Sequence, residues 1–115
     1  MDISFNNRKL EKEFQEGARL DRVHGALRAK KIRLRMTGLR AAANLKVFWP
    51  PKSGPERCHE LTGGKRKGQL SMDLDHPYRL IFVPDHDPIP VHEDGGLDWF
   101  RVTAVKIVGI ENTHE

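Results

Sequence analysis

Apolar residues along this chain change their spacing at Pro50-Pro51, from a helical period before it to a strand period after it. Asp2 to Phe5 alternates polar and apolar, which supports a short strand at most. Asn6 or Asn7 then offers a helix cap, and Leu10 with Phe14 falls at i, i+4 on one face of a short helix running to about Gly17. Asp21 offers a second cap, for a longer helix through about Leu45. On that segment Val23, Leu27 and Leu34 form one apolar line and Ile32, Met36, Leu39 and Ala43 an adjacent one, together the wide stripe that a core-facing helix needs. Ala41-Ala42-Ala43 raises helix propensity near the end, and Gly38 lowers it.

Trp49-Pro50-Pro51 stops any helix, because proline lacks an N–H and holds the residue before it extended. Ser53-Gly54-Pro55 continues as a loop. Leu70, Met72 and Leu74 then point one way and Gln69, Ser71 and Asp73 the other, the mark of a half-buried strand. Asp75-His76-Pro77 turns the chain into residues 78–83, a strand apolar enough to be central. Residues 84–98, rich in Pro, Asp, His and Gly and without apolar periodicity, read as a long surface loop. A β-branched stretch over 99–110 closes the sheet, with Val105, Ile107 and Val108 buried. The pattern predicts helices over much of 7–45 and antiparallel strands over 57–62, 68–74, 78–83 and 100–110. Helices first and strands afterwards make an α+β fold: a short N-terminal strand and two helices packed on one face of a small antiparallel sheet.

At 115 residues the chain suits one domain over 1–115, with a single modest core. Charged residues at 31% beside 37% hydrophobic ones exclude the disordered class. Twenty Lys and Arg against sixteen Asp and Glu give +4, which favours a polyanion or an acidic protein as partner. The one cysteine, Cys58, excludes an intramolecular disulfide and reads as a small buried apolar side chain in a reducing interior. The N-terminal stretch carries charges every few residues and no apolar run, so it is read as neither signal peptide nor membrane span, with the cytoplasm as the expected compartment. No repeat or low-complexity tract stands out. Trp49 and Trp99 read as plugs at the ends of the core.

Six histidines are the candidate acid–base groups: His24, His59, His76, His86, His92 and His114. Asp85-His86-Asp87 and His92-Glu93-Asp94 hold ligand-type side chains. With no second cysteine, no helical histidine pair and several prolines, they read as a flexible acidic loop and not as a metal site. Arg79 has the fork that binds two phosphate oxygens at once, or alternatively pairs with Asp73 or Asp75 across the hairpin. Lys65, Arg66 and Lys67 crowd the turn from Gly63 to Gly68, where they repel one another unless a polyanion faces them. His24, Arg28, Lys31 and Arg35 lie near helical spacing on one face, open to solvent, to RNA backbone or to an acidic protein segment.

The block Cys58 to Val83, CHELTGGKRKGQLSMDLDHPYRLIFV, resembles the centre of small RNA-cutting toxins of the RelE/ParE superfamily, in the HigB branch. His59 resembles the histidine of that family's L-H-x-L-x-G motif, with Cys58 in place of the first residue. Arg66 best matches the arginine of G-D-R-x-G, although this turn has one more residue and lacks the aspartate. Arg79 resembles the arginine of Y/W-R-I-x-F. VKIVGIENTH, ending at His114, resembles the closing strand and terminal histidine, with Asn112-Thr113 where the family has Asp-Tyr.

The resemblance implies a catalytic set of His59, Arg79, His114 and Asn112, with RNA contacts from Lys65, Arg66, Lys67, Arg28, Lys31 and Arg35. It implies no metal or other cofactor. Neither Asn nor Thr titrates usefully near neutrality, and Glu111 replaces the lost carboxylate only if a bulge or bend turns it to the right side. The implied function is the toxin of a type II toxin–antitoxin pair, a ribosome-dependent mRNA endonuclease that inhibits translation. Its expected partners are the ribosome, mRNA and a HigA-like helix-turn-helix antitoxin, with no membrane. The alternatives are a ParE-like toxin that binds without cutting, or a basic RNA-binding or structural module.

Overall fold

A computed structural model describes residues 1–112, and the helical half of the chain forms three helices where two are predicted. After strand β1 (Asp2–Phe5), Asn7 caps α1 (Arg8–Gln15) by accepting the Leu10 N–H at 2.9 Å. Extended backbone at Glu16 separates α1 from α2 (Gly17–His24), and Gly25 separates α2 from α3 (Ala26–Ala41). Gly25 has φ of 82°, a left-handed conformation that glycine adopts at little cost. Asp21 therefore sits inside α2, not at a cap, and pairs with Arg33 of α3 at 3.1 Å.

Only one of the two predicted apolar lines is covered. Ala29, Ile32, Met36 and Leu39 of α3 are buried, whereas Val23, Leu27 and Leu34 are exposed, and so is Ala43 beyond the helix. A helix lying on one sheet buries a stripe about 100° wide, and the first four residues already fill it.

The sheet has five strands in the order β1-β5-β4-β3-β2, where β2 is His59–Glu60, β3 Leu70–Asp73, β4 Tyr78–Pro84 and β5 Ala104–Asn112. Its neighbours run antiparallel except β1, which lies parallel to β5, so the sheet is mixed and not purely antiparallel. A parallel partner requires a long crossover, and everything from α1 to β4 lies between these two strands. Leu70, Met72, Leu80, Phe82, Val105 and Ile107 meet Leu20 and the buried line of α3 in one core. The α+β class follows from this arrangement.

Around the sheet, Trp99 is buried but Trp49 is half exposed, held edge-to-face on it at 5.2 Å, so only one tryptophan plugs the core. The stretch after β4 is a folded excursion. Val91 bridges Leu97, and His86 Nε2 accepts the Thr103 and Ala104 N–H groups at 3.1 and 3.3 Å. Among the described residues no helix is long and apolar enough to cross a membrane.

Candidate active site

Strand alternation assigns the polar residues of β3 and β4 to the sheet face opposite the helices. Pairing of Met72 with Leu80 and of Leu70 with Phe82 sends those residues into the core, so the intervening pairs, Ser71 with Ile81 and Asp73 with Arg79, face the other way. His59 pairs with Ser71 and joins that face from the edge strand. Glu111 pairs with Arg79 and joins it from β5. Two adjacent rows result, Glu111-Arg79-Asp73 and Gly109-Ile81-Ser71-His59. Strand spacings of about 4.8 Å and rises of about 3.4 Å per residue put the Cα atoms of Arg79 and His59 roughly 12 Å apart on this face.

Glu111 reaches this face because β5 is bulged. Ile81 pairs with Gly109 but Phe82 pairs with Ile107, leaving Val108 as the extra residue. Up to Ile107 the odd residues face the helices; beyond the bulge Ile110 does, opposite Leu80. The inversion turns Glu111 toward Arg79. It also turns Asn112, which pairs with Tyr78, to the other side of the sheet. Asn112 is thereby separated from His59 and Arg79, and Val108 is only half-buried, a correction to both readings from sequence. His114 and Thr113 lie outside the described residues.

The chemistry of the face follows from its partners. His59 is 5% exposed, and its Nδ1 stands 2.8 Å from the Arg57 carbonyl oxygen. A carbonyl only accepts, so Nδ1 is the donor in this contact and Nε2 is the ring nitrogen left for another partner. Nε2 is buried with no hydrogen-bond partner. Arg79 Nε lies 3.3 Å from Asp73 Oδ1 while its Nη1 is buried and unpartnered, and Asp73 Oδ2 pairs with Arg57 at 3.2 Å. Arg66 Nη2 meets Glu111 Oε1 at 2.6 Å.

Unpartnered polar atoms concentrate here. Of the six buried side-chain polar atoms without a hydrogen bond among the described residues, His59 Nε2, Ser71 Oγ and Arg79 Nη1 share this face with Asp73 Oδ1, which keeps only its ion pair to Arg79, and Gln69 Oε1 joins them by strand parity. Each such group costs about 1–3 kcal/mol of desolvation if nothing meets it, so a cluster of them is a costly, concentrated polar feature just beneath this face.

The other predicted contacts divide. Lys65 and Lys67 are exposed on the short turn that aims Arg66 at Glu111. Arg28 is held by Asp75, with Nε to Oδ1 at 3.0 Å and Nη2 to Oδ2 at 3.1 Å, and lies 3.5 Å over the Tyr78 ring. That guanidinium holds the Asp75 carboxyl below its ordinary range. Arg35 donates to the Asp73 carbonyl at 2.7 Å. Both arginines brace α3 against the β3–β4 hairpin rather than forming an open basic stripe, and Lys31 lies half-buried between them on the helix. Among the other histidines, His24 meets Glu13 at 3.4 Å and His92 lies 3.9 Å from Asp98. His76 is exposed. Burial pushes the Cys58 thiol far up, consistent with an inert core side chain.

Sequence reasoning missed Arg57 and Ser71. Ser71 carried a usable signal, an outward-facing position between two candidate rows. Arg57 carried none, since its role depends on its backbone turn, at φ of 44°, and on the carbonyl it offers to His59. Neither a comparison with protein-family models nor one with curated proteins finds a match for this chain.

Proposed function

We propose that the chain is a ribonuclease toxin of the type II toxin–antitoxin kind, cutting mRNA on the ribosome through the sheet face that carries His59 and Arg79. The observation that carries this reading is the clustering of unpartnered polar atoms around those two residues. His59 Nε2 takes the proton of a ribose 2′-hydroxyl, and the freed oxygen attacks the adjacent phosphorus. Arg79 Nη1 and Arg66 stabilise the charge that builds on the phosphoryl oxygens, while the bond to the 5′-oxygen breaks. His114, which the resemblance implies in the catalytic set, lies outside the described residues, and the leaving 5′-oxygen takes its proton from a second acid or from water. Glu111 and Asp73 hold the two arginines in place.

The products would be a 2′,3′-cyclic phosphate and a 5′-hydroxyl. Purified ribosomes programmed with mRNA and supplied with the protein test this through the end chemistry of the fragments. Cyclic phosphate ends support the reading; a 3′-hydroxyl beside a 5′-phosphate would reject it.

A second reading, a toxin that binds without cutting, has one observation in its favour: both arginines already face carboxylates, Arg79 with Asp73 and Arg66 with Glu111. Protein that arrests growth with mRNA intact would select it. In either case the neutralising partner is proposed to be a HigA-like helix-turn-helix antitoxin.

A further inference from the structure

Both tryptophans of the chain stand at one cleft of about 360 Å³, away from the face just described. Trp99 forms its buried wall and donates Nε1–H to Glu60 Oε2 at 3.2 Å. Trp49 is 52% exposed and Phe100 is 63% exposed, and both line the cleft together with Lys46. The perpendicular contact on Trp99, at 88° between planes, fixes the Trp49 ring in orientation while leaving a face open. Two exposed aromatic rings do not serve the core; they stand beside Lys46, His92 and three carboxylates, Glu60, Asp94 and Asp98, of which Asp94 accepts the Gly96 N–H at 2.8 Å and Asp98 lies 3.8 Å from Arg101.

Glu60 connects this cleft to His59. It follows His59 on the edge strand, and a second cleft of about 500 Å³ touches His59, Glu60, Pro51 and Lys52 along that edge. A chain leaving His59 around the edge therefore meets Lys52 and then the Trp49 ring, with only Pro50-Pro51 between those two residues in sequence.

From this continuity we infer that the cleft is a base-stacking subsite for an unpaired nucleotide flanking the cut, an inference that rests on the ribonuclease reading. Aromatic faces take any base, and alanine replacement of such a platform weakens binding about tenfold or more. Lys46 and Lys52 follow the phosphates. The Glu60 carboxylate accepts hydrogen bonds and repels carbonyl oxygens, so the subsite favours bases with an exocyclic amine over uracil.

Because both tryptophans of the chain line this cleft, tryptophan emission excited at a wavelength that tyrosine does not absorb reports on it alone. The test titrates the full chain with fully 2′-O-methylated pentanucleotides of C or of U, which cannot be cut. The expected result is quenching, tighter for C than for U by severalfold. Trp49→Ala should weaken binding about tenfold and Trp49→Phe should restore it, while Glu60→Gln removes the preference for C. Circular dichroism confirms that each variant folds. Unchanged binding in folded Trp49→Ala, read by anisotropy of labelled oligonucleotide, overturns the subsite even if ribosome-bound mRNA is still cut. The expected binding pattern without any mRNA cleavage keeps the subsite and rejects the ribonuclease reading instead.

Discussion

Glu111 and Asn112 are neighbours with opposite prospects. Glu111 faces Arg79 and grips Arg66, while Asn112 points to the far side of the sheet. Replacing Asn112 by Asp, which restores the family carboxylate, should therefore leave the cleavage rate unchanged. Glu111→Gln should lower it by about tenfold to a hundredfold, because the charged contact of Glu111 with Arg66, at 2.6 Å, is weakened. Single-turnover cleavage of ribosome-bound mRNA separates the two variants; a rate gain in Asn112→Asp would mean that the bulge does not govern the site. Arg79→Ala should cost about 10²–10³-fold in the same assay, with Arg79→Lys recovering only part, since lysine lacks the two-point fork.

At the scale of elements, the bulge in β5 and the brace on α3 set the geometry. Gly109 has φ of 155°, where a side chain is strained, so Gly109→Val should destabilise the fold by about 1–3 kcal/mol in chemical denaturation. An unchanged midpoint would show that the bulge tolerates a Cβ. The Arg28–Asp75 pair gives a pH-dependent prediction. Asp75 is held below its ordinary range by the Arg28 hydrogen bonds, so its contribution is present above the unfolded pKa of about 3.9 and is lost as pH falls through the lower folded value. Asp75→Asn should lose about 1–3 kcal/mol at pH 7, and its gap from wild type should narrow at pH 3; an equal gap at both values contradicts the brace.

These elements also show what the sequence made legible. The period-two run Leu70-Met72-Leu74 and the apolar run after Tyr78 located the central hairpin, and the face bearing Arg79 followed from alternation alone. The bulge did not announce itself. Gly109 lies in an otherwise regular strand pattern, and one inserted residue decides whether Glu111 or Asn112 enters the site. The break at Gly25 was similarly hidden among good helix formers, so Asp21 read as a cap and the line Val23, Leu27 and Leu34 as core. Arg28 and Arg35 read as a basic face because helical spacing does not reveal that Asp75 and the Asp73 carbonyl stand within reach.

For the whole molecule, the +4 charge is distributed unevenly in its use. Arg28, Arg33, Arg35 and Arg57 are bound internally, whereas Lys46, Lys52, Lys65 and Lys67 are exposed on the turns and loops. Docking on RNA through those lysines releases counterions, so affinity for ribosomes should fall steeply between about 50 and 200 mM salt. Lys65→Ala with Lys67→Ala should flatten that dependence, as measured by co-sedimentation; a slope unchanged in the double variant would place the docking surface elsewhere.

The central claim, that His59 transfers a proton while mRNA is cut, meets its most direct test in the pH–rate profile of single-turnover cleavage on purified translating ribosomes. A histidine base imposes a limb between about pH 5 and 8 and contributes about 10²–10⁴-fold. Wild-type protein should show that limb, and folded His59→Ala should be slower by that factor with the limb gone. Cleavage by His59→Ala at the wild-type rate with the same pH dependence, or no cleavage by the wild type at any pH, would contradict the account.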